Sequence, residues 1–143
     1  MAQLSPEPNA AGYVPRLLSA AAFITERATE ESLTELRLTQ ERAAVLGLLV
    51  LSPSDQSALT EASGLGENCV RDCLSSLQCC GYADAGGDGR WSATEAGREI
   101  HAKAAAAEAR LLARSSHDVE GLRQELHALI RALRPPASDP APK

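Results

Sequence analysis

The fold is decided by residues 53–97, which read PSDQSALTEASGLG (53–66), ENCVRDCLSSLQCCG (67–81) and YADAGGDGRWSATEAG (82–97). The first two segments are short and amphipathic, and a glycine-containing turn separates them. In the third, two short pieces flank Gly86-Gly87-Asp88-Gly89, which is typical of the turn of a two-stranded hairpin. This order of segments predicts a helix-turn-helix followed by a β-wing.

Apolar residues at three- and four-residue steps predict two helices before this stretch, and capping residues predict where the next one begins. The first helix is expected over about residues 14–31, with Pro15 in its first turn. The second is expected from a Thr39 cap to residue 51. We expect Ser54 to cap the third helix and Gly64 to end it in the left-handed conformation.

The remaining pattern predicts a fourth helix over about residues 67–80 and a fifth from a Thr94 cap to about residue 114. A sixth helix carries a wide apolar stripe that needs a partner surface. Its members are Val119, Leu122, Leu126, Leu129, Ile130 and Leu133. Residues 36–38 alternate apolar and polar side chains, and we expect them to form a third strand beside the wing. Residues 1–12 and 135–143 are predicted to be flexible tails.

Composition favours one mainly α-helical domain of ordinary size. The chain has 143 residues, of which 44% are hydrophobic, but it contains one Phe, one Trp and two Tyr, so Leu, Ala, Val and Ile must fill the core. No apolar run reaches the roughly 18 residues that span a bilayer, and the N-terminus does not resemble a signal peptide. We therefore expect a cytoplasmic protein without a membrane partner.

Charge argues against binding of nucleic acid by bulk electrostatics alone. The formal net charge is −5. Residues 36–97 contain four arginines, no lysine and eight acidic residues. Any DNA affinity must therefore come from a few placed contacts, with weak nonspecific binding and a shallow dependence on salt.

With this order of elements, the chain resembles the MarR family of bacterial transcriptional regulators over about residues 14–133. Part of the resemblance lies in Leu38-Thr39 and in residues of the second and fourth helices, which are Val45, Leu46, Leu48, Leu49, Val70, Leu74 and Leu77. Leu59, Leu65, Gly81-Tyr82 and the sequence Thr94-Glu95-Ala96-Gly97 after the wing carry the rest. The resemblance implies a mainly α winged helix-turn-helix protein in which residues 36–97 bind DNA.

The resemblance also implies a homodimer, held by helices in residues 13–35 and 98–134, that reads a pseudo-palindromic site on double-stranded DNA. A two-fold dimer places two recognition helices about one DNA turn apart, which fits that arrangement. The family further implies release, most often of a repressor, by a small-molecule or oxidant signal. The alternative is a non-enzymatic dimerisation or protein-interaction module that keeps the scaffold with weakened or lost DNA binding, which the acidic central region favours.

The candidate DNA contacts lie on the exposed face of the fourth helix, at the start of the third helix and in the wing. On the fourth helix they are Asn68, Cys69, Arg71, Asp72 and Ser75; elsewhere they are Gln56, Ser57 and Arg90. Amide and guanidinium groups can read adenine and guanine through paired hydrogen bonds, and hydroxyls or helix N-termini can donate to phosphate oxygens. A solvated face, a capping segment and a turn arginine are the structural alternatives.

Four cysteines, at positions 69, 73, 79 and 80, invite a thiol switch or a metal site. Cys69 is the redox candidate because it lies near a helix N-terminus, which lowers the pKa of a thiol. Cys69 and Cys73 are one helical turn apart and could share a soft metal, but Cys73 lies on the apolar stripe, so we predict no metal site. The three histidines lie among charged residues without ligand spacing, and no motif of catalysis or cofactor binding is present, so we predict neither enzymatic activity nor a cofactor.

Overall fold

The computed structural model describes residues 10–115 and 118–133, which form six α-helices and two β-strands. The helices are α1 (Ala10–Glu35), α2 (Gln40–Leu51), α3 (Gln56–Ser63), α4 (Glu67–Cys79), α5 (Glu95–Leu112) and α6 (Val119–Leu133); the strands are β1 (Ala83–Ala85) and β2 (Trp91–Ala93). The chain divides into two compact units at residues 111 and 112. The first holds α1 to α4, the strands and nearly all of α5, and the second holds α6. The mainly α fold with a small β-wing is confirmed.

The end of α1 corrects the prediction of a third strand. Arg37 adopts a left-handed φ of 62°, and the Leu38 N–H donates to the Leu33 carbonyl at 2.8 Å. The Arg37 N–H donates to the Thr34 carbonyl at 3.0 Å, which completes a Schellman ending. Leu33 and Leu38 are both buried. The alternation of apolar and polar residues at 36–38 therefore belongs to a helix end that packs on the core, and not to a strand.

The other departures concern where α1 and α3 begin. Because α1 starts at Ala10, residues 10–12 are helical instead of belonging to the predicted tail, and Pro15 lies beyond the first turn. Residues 1–9 and 135–143 of the predicted tails lie outside the described residues. Asp55, not Ser54, caps α3: its carboxylate accepts the Ala58 N–H at 2.8 Å. Ser54 instead forms two backbone hydrogen bonds with Trp91, at 3.0 and 2.8 Å, and so supplies the additional strand contact of the wing.

The remaining helix ends follow the predicted capping residues. The Thr39 hydroxyl accepts the Arg42 N–H at 3.2 Å at the start of α2. Gly64 ends α3 with a φ of 73°, and Gly81, with a φ of 79°, ends α4. At the start of α5, the Thr94 hydroxyl accepts the Gly97 N–H at 3.0 Å.

The core of the first unit is aliphatic and joins the end of α1, α2, α3, α4 and the wing. Its largest fully buried side chains are Leu33, Leu46, Leu59, Leu74, Leu77, Val45 and Val70. The strands pair antiparallel, with Ala83 opposite Ala93 and Ala85 opposite Trp91. Strand β1 follows α4 directly, so this core fixes the wing beside the fourth helix. None of the helices in residues 10–115 and 118–133 is long and apolar enough to cross a membrane.

Candidate nucleic-acid interface

Helix α4 separates an inner apolar face from an outer polar face, as the sequence predicts. Val70, Cys73, Leu74 and Leu77 are buried. The side chains of Asn68, Arg71, Asp72 and Ser75 are exposed on the other side. Four of the five residues proposed for DNA contact on this helix therefore share one open surface. Cys69 is the exception, because it is half-buried and packs against the core.

Asn68 and Arg71 are already joined to each other. A guanidinium nitrogen of Arg71 donates to the Asn68 amide oxygen at 2.6 Å, across one turn of the exposed helix face. This hydrogen bond uses the amide oxygen of Asn68 as its acceptor and does not use the two N–H donors of the same amide. The hydrogen bond limits the rotamers of Arg71, which lowers the entropy that this side chain would lose on contact with a ligand.

The start of α3 lies against the start of α4 through a side-chain contact. The amide nitrogen of Gln56 donates to the backbone carbonyl of Glu67, the first residue of α4, at 3.3 Å. Ser57 is exposed beside it. Gln56 therefore helps to set the angle between the two helices of the helix-turn-helix, in addition to its predicted role toward phosphate.

Two hydrogen bonds fix the backbone of Arg90, the last residue of the wing loop before β2. The Asp88 carboxylate accepts the Arg90 N–H at 3.0 Å, and the Gly86 N–H donates to the Arg90 carbonyl at 2.7 Å. Gly89 has a φ of 81°, a left-handed conformation that this five-residue connection requires. Asp88 and Gly89 are therefore explained by the structure of the turn itself. The side chain of Arg90 is exposed.

Neither Arg71 nor Arg90 belongs to an ion pair within the described residues, where the one salt bridge joins Arg123 to Glu120 on α6. Both guanidinium groups therefore keep their charge available to an incoming anion. Asp72, exposed next to Arg71, opposes that charge.

Cys69 lines a shallow cavity between α4 and the start of α2, in addition to its place among the candidate DNA contacts. The cavity has a volume of about 400 Å³ and is lined by Thr39, Glu41, Arg42, Cys69, Asp72, Cys73 and Ser76. Burial, followed by the nearby Cys69 thiol, raises the pKa of Cys73 to about 11 from its ordinary value of 9.0. Helical geometry explains why the Cys69 side chain is half-buried: a residue one turn from buried Cys73 points partly inward with it.

A second cavity, between α1 and the start of α2, was not predicted from the sequence. It has a volume of about 350 Å³, and Phe23, Leu33 and Leu38 form apolar parts of its wall. Gln40, also in its lining, donates to the Thr29 hydroxyl at 3.0 Å and so ties α2 to α1. The sequence does not predict this cavity, because its walls come from helices whose packing the local pattern does not specify.

No group of three or more metal-binding side chains occurs within residues 10–115 and 118–133. His101 is half-buried, with its ring near Gly47 of α2, and His127 is exposed. His117 lies outside the described residues.

The sequence matches no protein-family model and no curated protein. The fold, however, is similar to solved structures. A MarR family transcriptional regulator from Rhodococcus sp. RHA1 has a TM-score of 0.69 at 21% identity, over 86% of this chain and 97% of that chain. The Mycobacterium tuberculosis MarR family protein Rv2887, in complex with DNA, has a TM-score of 0.65 at 22% identity, over 81% of this chain and 96% of that chain.

CouR from Rhodococcus jostii RHA1, bound to p-coumaroyl-CoA, has a TM-score of 0.71 at 17% identity and covers 96% of this chain and 100% of its own. The architecture therefore defines a winged helix-turn-helix protein. Within that class, its order of helices and strands is the fold of the MarR family regulators, as the sequence resemblance predicted.

Proposed function

We propose that this protein is a non-enzymatic, homodimeric transcriptional regulator of the MarR type that binds a pseudo-palindromic DNA operator. The observation that carries the proposal is the free outer face of α4, with Asn68, Arg71 and Ser75 exposed in a fold that Rv2887 shares in its complex with DNA. Asn68 and Arg71 read bases, Ser75 and Ser57 contact the backbone, and Arg90 enters the minor groove or contacts phosphate.

Dimerisation is supported by two apolar surfaces that no described residue of their own unit covers. On α6 none of the stripe residues is buried, and Leu133 is 71% exposed. On α1, Leu17 is 65% exposed and Phe23 and Ile24 are each 63% exposed. Rows of exposed large apolar side chains on two terminal helices are typical of surfaces that a second copy covers.

Regulation through a small molecule is supported by the cavity between α1 and α2. CouR is bound to p-coumaroyl-CoA in its structure, and Rv2887 has also been solved with p-aminosalicylic acid. In this chain the cavity joins a proposed dimerisation helix to the first helix of the DNA-binding unit. A ligand that prefers one angle between them shifts the spacing of the two recognition helices and releases the operator, which makes repression the simplest mode of action.

Selection of bound duplexes from a random pool at moderate salt tests the proposal. We expect enrichment of a two-fold symmetric motif by the wild type. Arg71→Ala is expected to lose about 1–3 kcal/mol of binding free energy at one base position of each half-site. Arg110→Ala removes the same charge from the last turn of α5 and serves as the matched control. Failure of the wild type to enrich any motif would falsify the proposal.

The second candidate function is a protein-interaction module on the same scaffold. It is favoured by the balance of four arginines and eight acids in residues 36–97. This candidate predicts a stable homodimer that enriches no duplex, whereas the regulator predicts both dimerisation and enrichment.

Oxidant sensing at Cys69 is a further part of the proposal, and its route follows from the half-buried position of this thiol. Oxidation in the cavity beside Cys73 disturbs the packing of α4 instead of a base contact. We expect mild peroxide to weaken operator binding of the wild type and of Cys79→Ser, and to leave Cys69→Ser unaffected. An equal response of all three proteins removes Cys69 from the mechanism.

A further inference from the structure

The cavity between α4 and the start of α2 contains two thiols from successive turns of one helix. Cys69 is half-buried and Cys73 is 6% exposed, yet both line this cavity of about 400 Å³. Both cysteines are free. Their arrangement is that of a dithiol with two sulfur atoms available to one small ligand.

The helix disfavours a direct bond between the two sulfurs. Residues four apart on a helix have β-carbons about 5–6 Å apart, whereas a disulfide needs about 3.5–4.5 Å. An atom placed between the sulfurs and bonded to both spans the wider gap without unwinding the helix. The pair therefore suits a bridging ligand better than oxidation to a disulfide.

The number of ligands favours an element that needs only two thiolates from the protein. Structural zinc requires four protein ligands, and no group of three or more metal-binding side chains exists in the described parts of the chain. A monosubstituted trivalent arsenical, RAs(OH)₂, already carries one carbon substituent and completes its three-coordinate state with two sulfurs. Soft sulfur ligands also match this soft centre.

We propose that Cys69 and Cys73 form a chelating site for monosubstituted trivalent arsenicals. Two As–O bonds and two S–H bonds break, and two As–S bonds and two O–H bonds form, so that RAs(OH)₂ and the two thiols give the dithioarsenite and two molecules of water. The oxidation state of arsenic and of sulfur is unchanged, and the thiol protons leave in the water.

The environment of Cys73 supports this choice over a divalent metal ion. Because burial raises the pKa of Cys73 to about 11, a metal ion that binds thiolate must release this proton to solvent at neutral pH, at a cost in affinity. Condensation with an arsenical hydroxyl releases no free proton. Its affinity is therefore expected to change little between pH 6 and pH 8, whereas capture of a divalent ion strengthens with pH.

Phenylarsine oxide and the reduced full-length protein test the site by intact-mass spectrometry under native conditions. We expect one arsenical per chain, with binding weakened roughly 100-fold in Cys69→Ser because a single thiol loses the chelate advantage. The matched control is the double variant Cys79→Ser/Cys80→Ser, in which the adjacent pair at the end of α4 is removed and binding is expected to persist. Cys79 and Cys80 point about 100° apart around the helix, so they are not aligned as the first pair is.

Thermal melting separates a built site from reaction with an unfolded chain. Saturating phenylarsine oxide is expected to raise the melting temperature of the wild type and of the double variant, because a ligand that binds the folded state stabilises it. It is expected to leave the melting temperature of Cys69→Ser unchanged. Unweakened binding to Cys69→Ser, loss of binding in the double variant, or a lowered melting temperature of the wild type would each overturn the proposal. None of these measurements depends on whether the protein binds DNA.

Discussion

Replacement of Gly97 by alanine tests how closely α5 approaches the end of α4. Gly97 is buried in the first turn of α5, and a β-carbon there would collide with the backbone carbonyl oxygen of Tyr82. The same carbonyl accepts the Thr94 N–H at 3.0 Å, and the Thr94 hydroxyl donates to the Gly81 carbonyl at 2.6 Å. A shift of either backbone therefore disturbs the joint between α4, the wing and α5.

The expected cost is large for a single methyl group. Overpacking costs about 1–3 kcal/mol, and the upper end applies because the opposing atom belongs to the backbone and cannot rotate away. Weakening of the Thr94–Tyr82 hydrogen bond adds about 1 kcal/mol. Alanine also reduces the conformational entropy of the unfolded chain, and this stabilises the folded state by about 0.4–1 kcal/mol. We therefore expect Gly97→Ala to lower the free energy of unfolding by about 3 kcal/mol.

Gly87→Ala is the matched control, because it makes the same chemical change in the wing. A β-carbon at Gly87 meets nothing within 4 Å, and its φ is not in the left-handed range. The effect on the unfolded chain is the same in both variants, so the difference between them isolates the contact with Tyr82. The measurement is urea unfolding at a fixed protein concentration, where 3 kcal/mol moves the midpoint by roughly 1.5 M at an m-value of about 2 kcal/mol/M. Midpoints of Gly97→Ala and Gly87→Ala within about 0.3 M of each other would refute the close approach.

Three further predictions follow from the same structure. Tyr82→Phe removes the hydroxyl that donates to the Leu36 carbonyl at 2.9 Å and should lower the free energy of unfolding by about 1 kcal/mol, measured in urea; no change would mean that this contact adds nothing. Leu126→Asp should convert the dimer to monomer in sedimentation, whereas Ala128→Asp, on the opposite face of α6, should not; equal behaviour would exclude the α6 stripe from the interface. Because the pKa of Cys73 is raised from 9.0 to about 11, the folded state holds this proton more tightly than the unfolded state, so stability should fall as pH rises from about 9 to 11. Cys73→Ala should make that fall shallower, and an identical pH profile would contradict the raised pKa.

The sequence predicted helix α4 well because its apolar period is strong. Val70, Cys73, Leu74 and Leu77 recur at helical spacing, and all four are buried. That period alone also places Arg71 on the outer face, where it is exposed. The polar surface of α4 was therefore predictable without knowledge of any contact with another element.

Predictions that depended on a choice between neighbouring residues were less secure. Ser54 and Asp55 both favour the N-cap position, and the backbone pairing of Ser54 with Trp91 decides between them. Residues 36–38 have the alternation of a strand, but the burial of Leu38 against the core ends α1 there instead. In each case a contact from a distant part of the chain overrode the local preference.

The candidate sites also divide into those that local sequence predicts and those that depend on contacts between distant residues. Arg90 and its turn were predictable because Asp88-Gly89 is a local turn signal. The half-buried position of Cys69 was not predictable, because the spacing of residues along α4 does not determine how far α2 covers the side of that helix. The cavity between α1 and α2 was also not predictable from the sequence, since Phe23 and Gln40 line the same cavity only because the two helices pack together.

The sequence by itself determined the number and order of the helices, the glycine ends of α3 and α4, the wing and the polar outer face of α4. These features depend on periodicity and on the conformational preferences of single residues, which act over a few positions. The tertiary structure alone decided that Asp55 caps α3, that α1 ends in a Schellman motif, and that Cys69 faces a cavity with Cys73. Those outcomes depend on which buried surfaces meet, and that free energy comes from contacts between residues far apart in the chain.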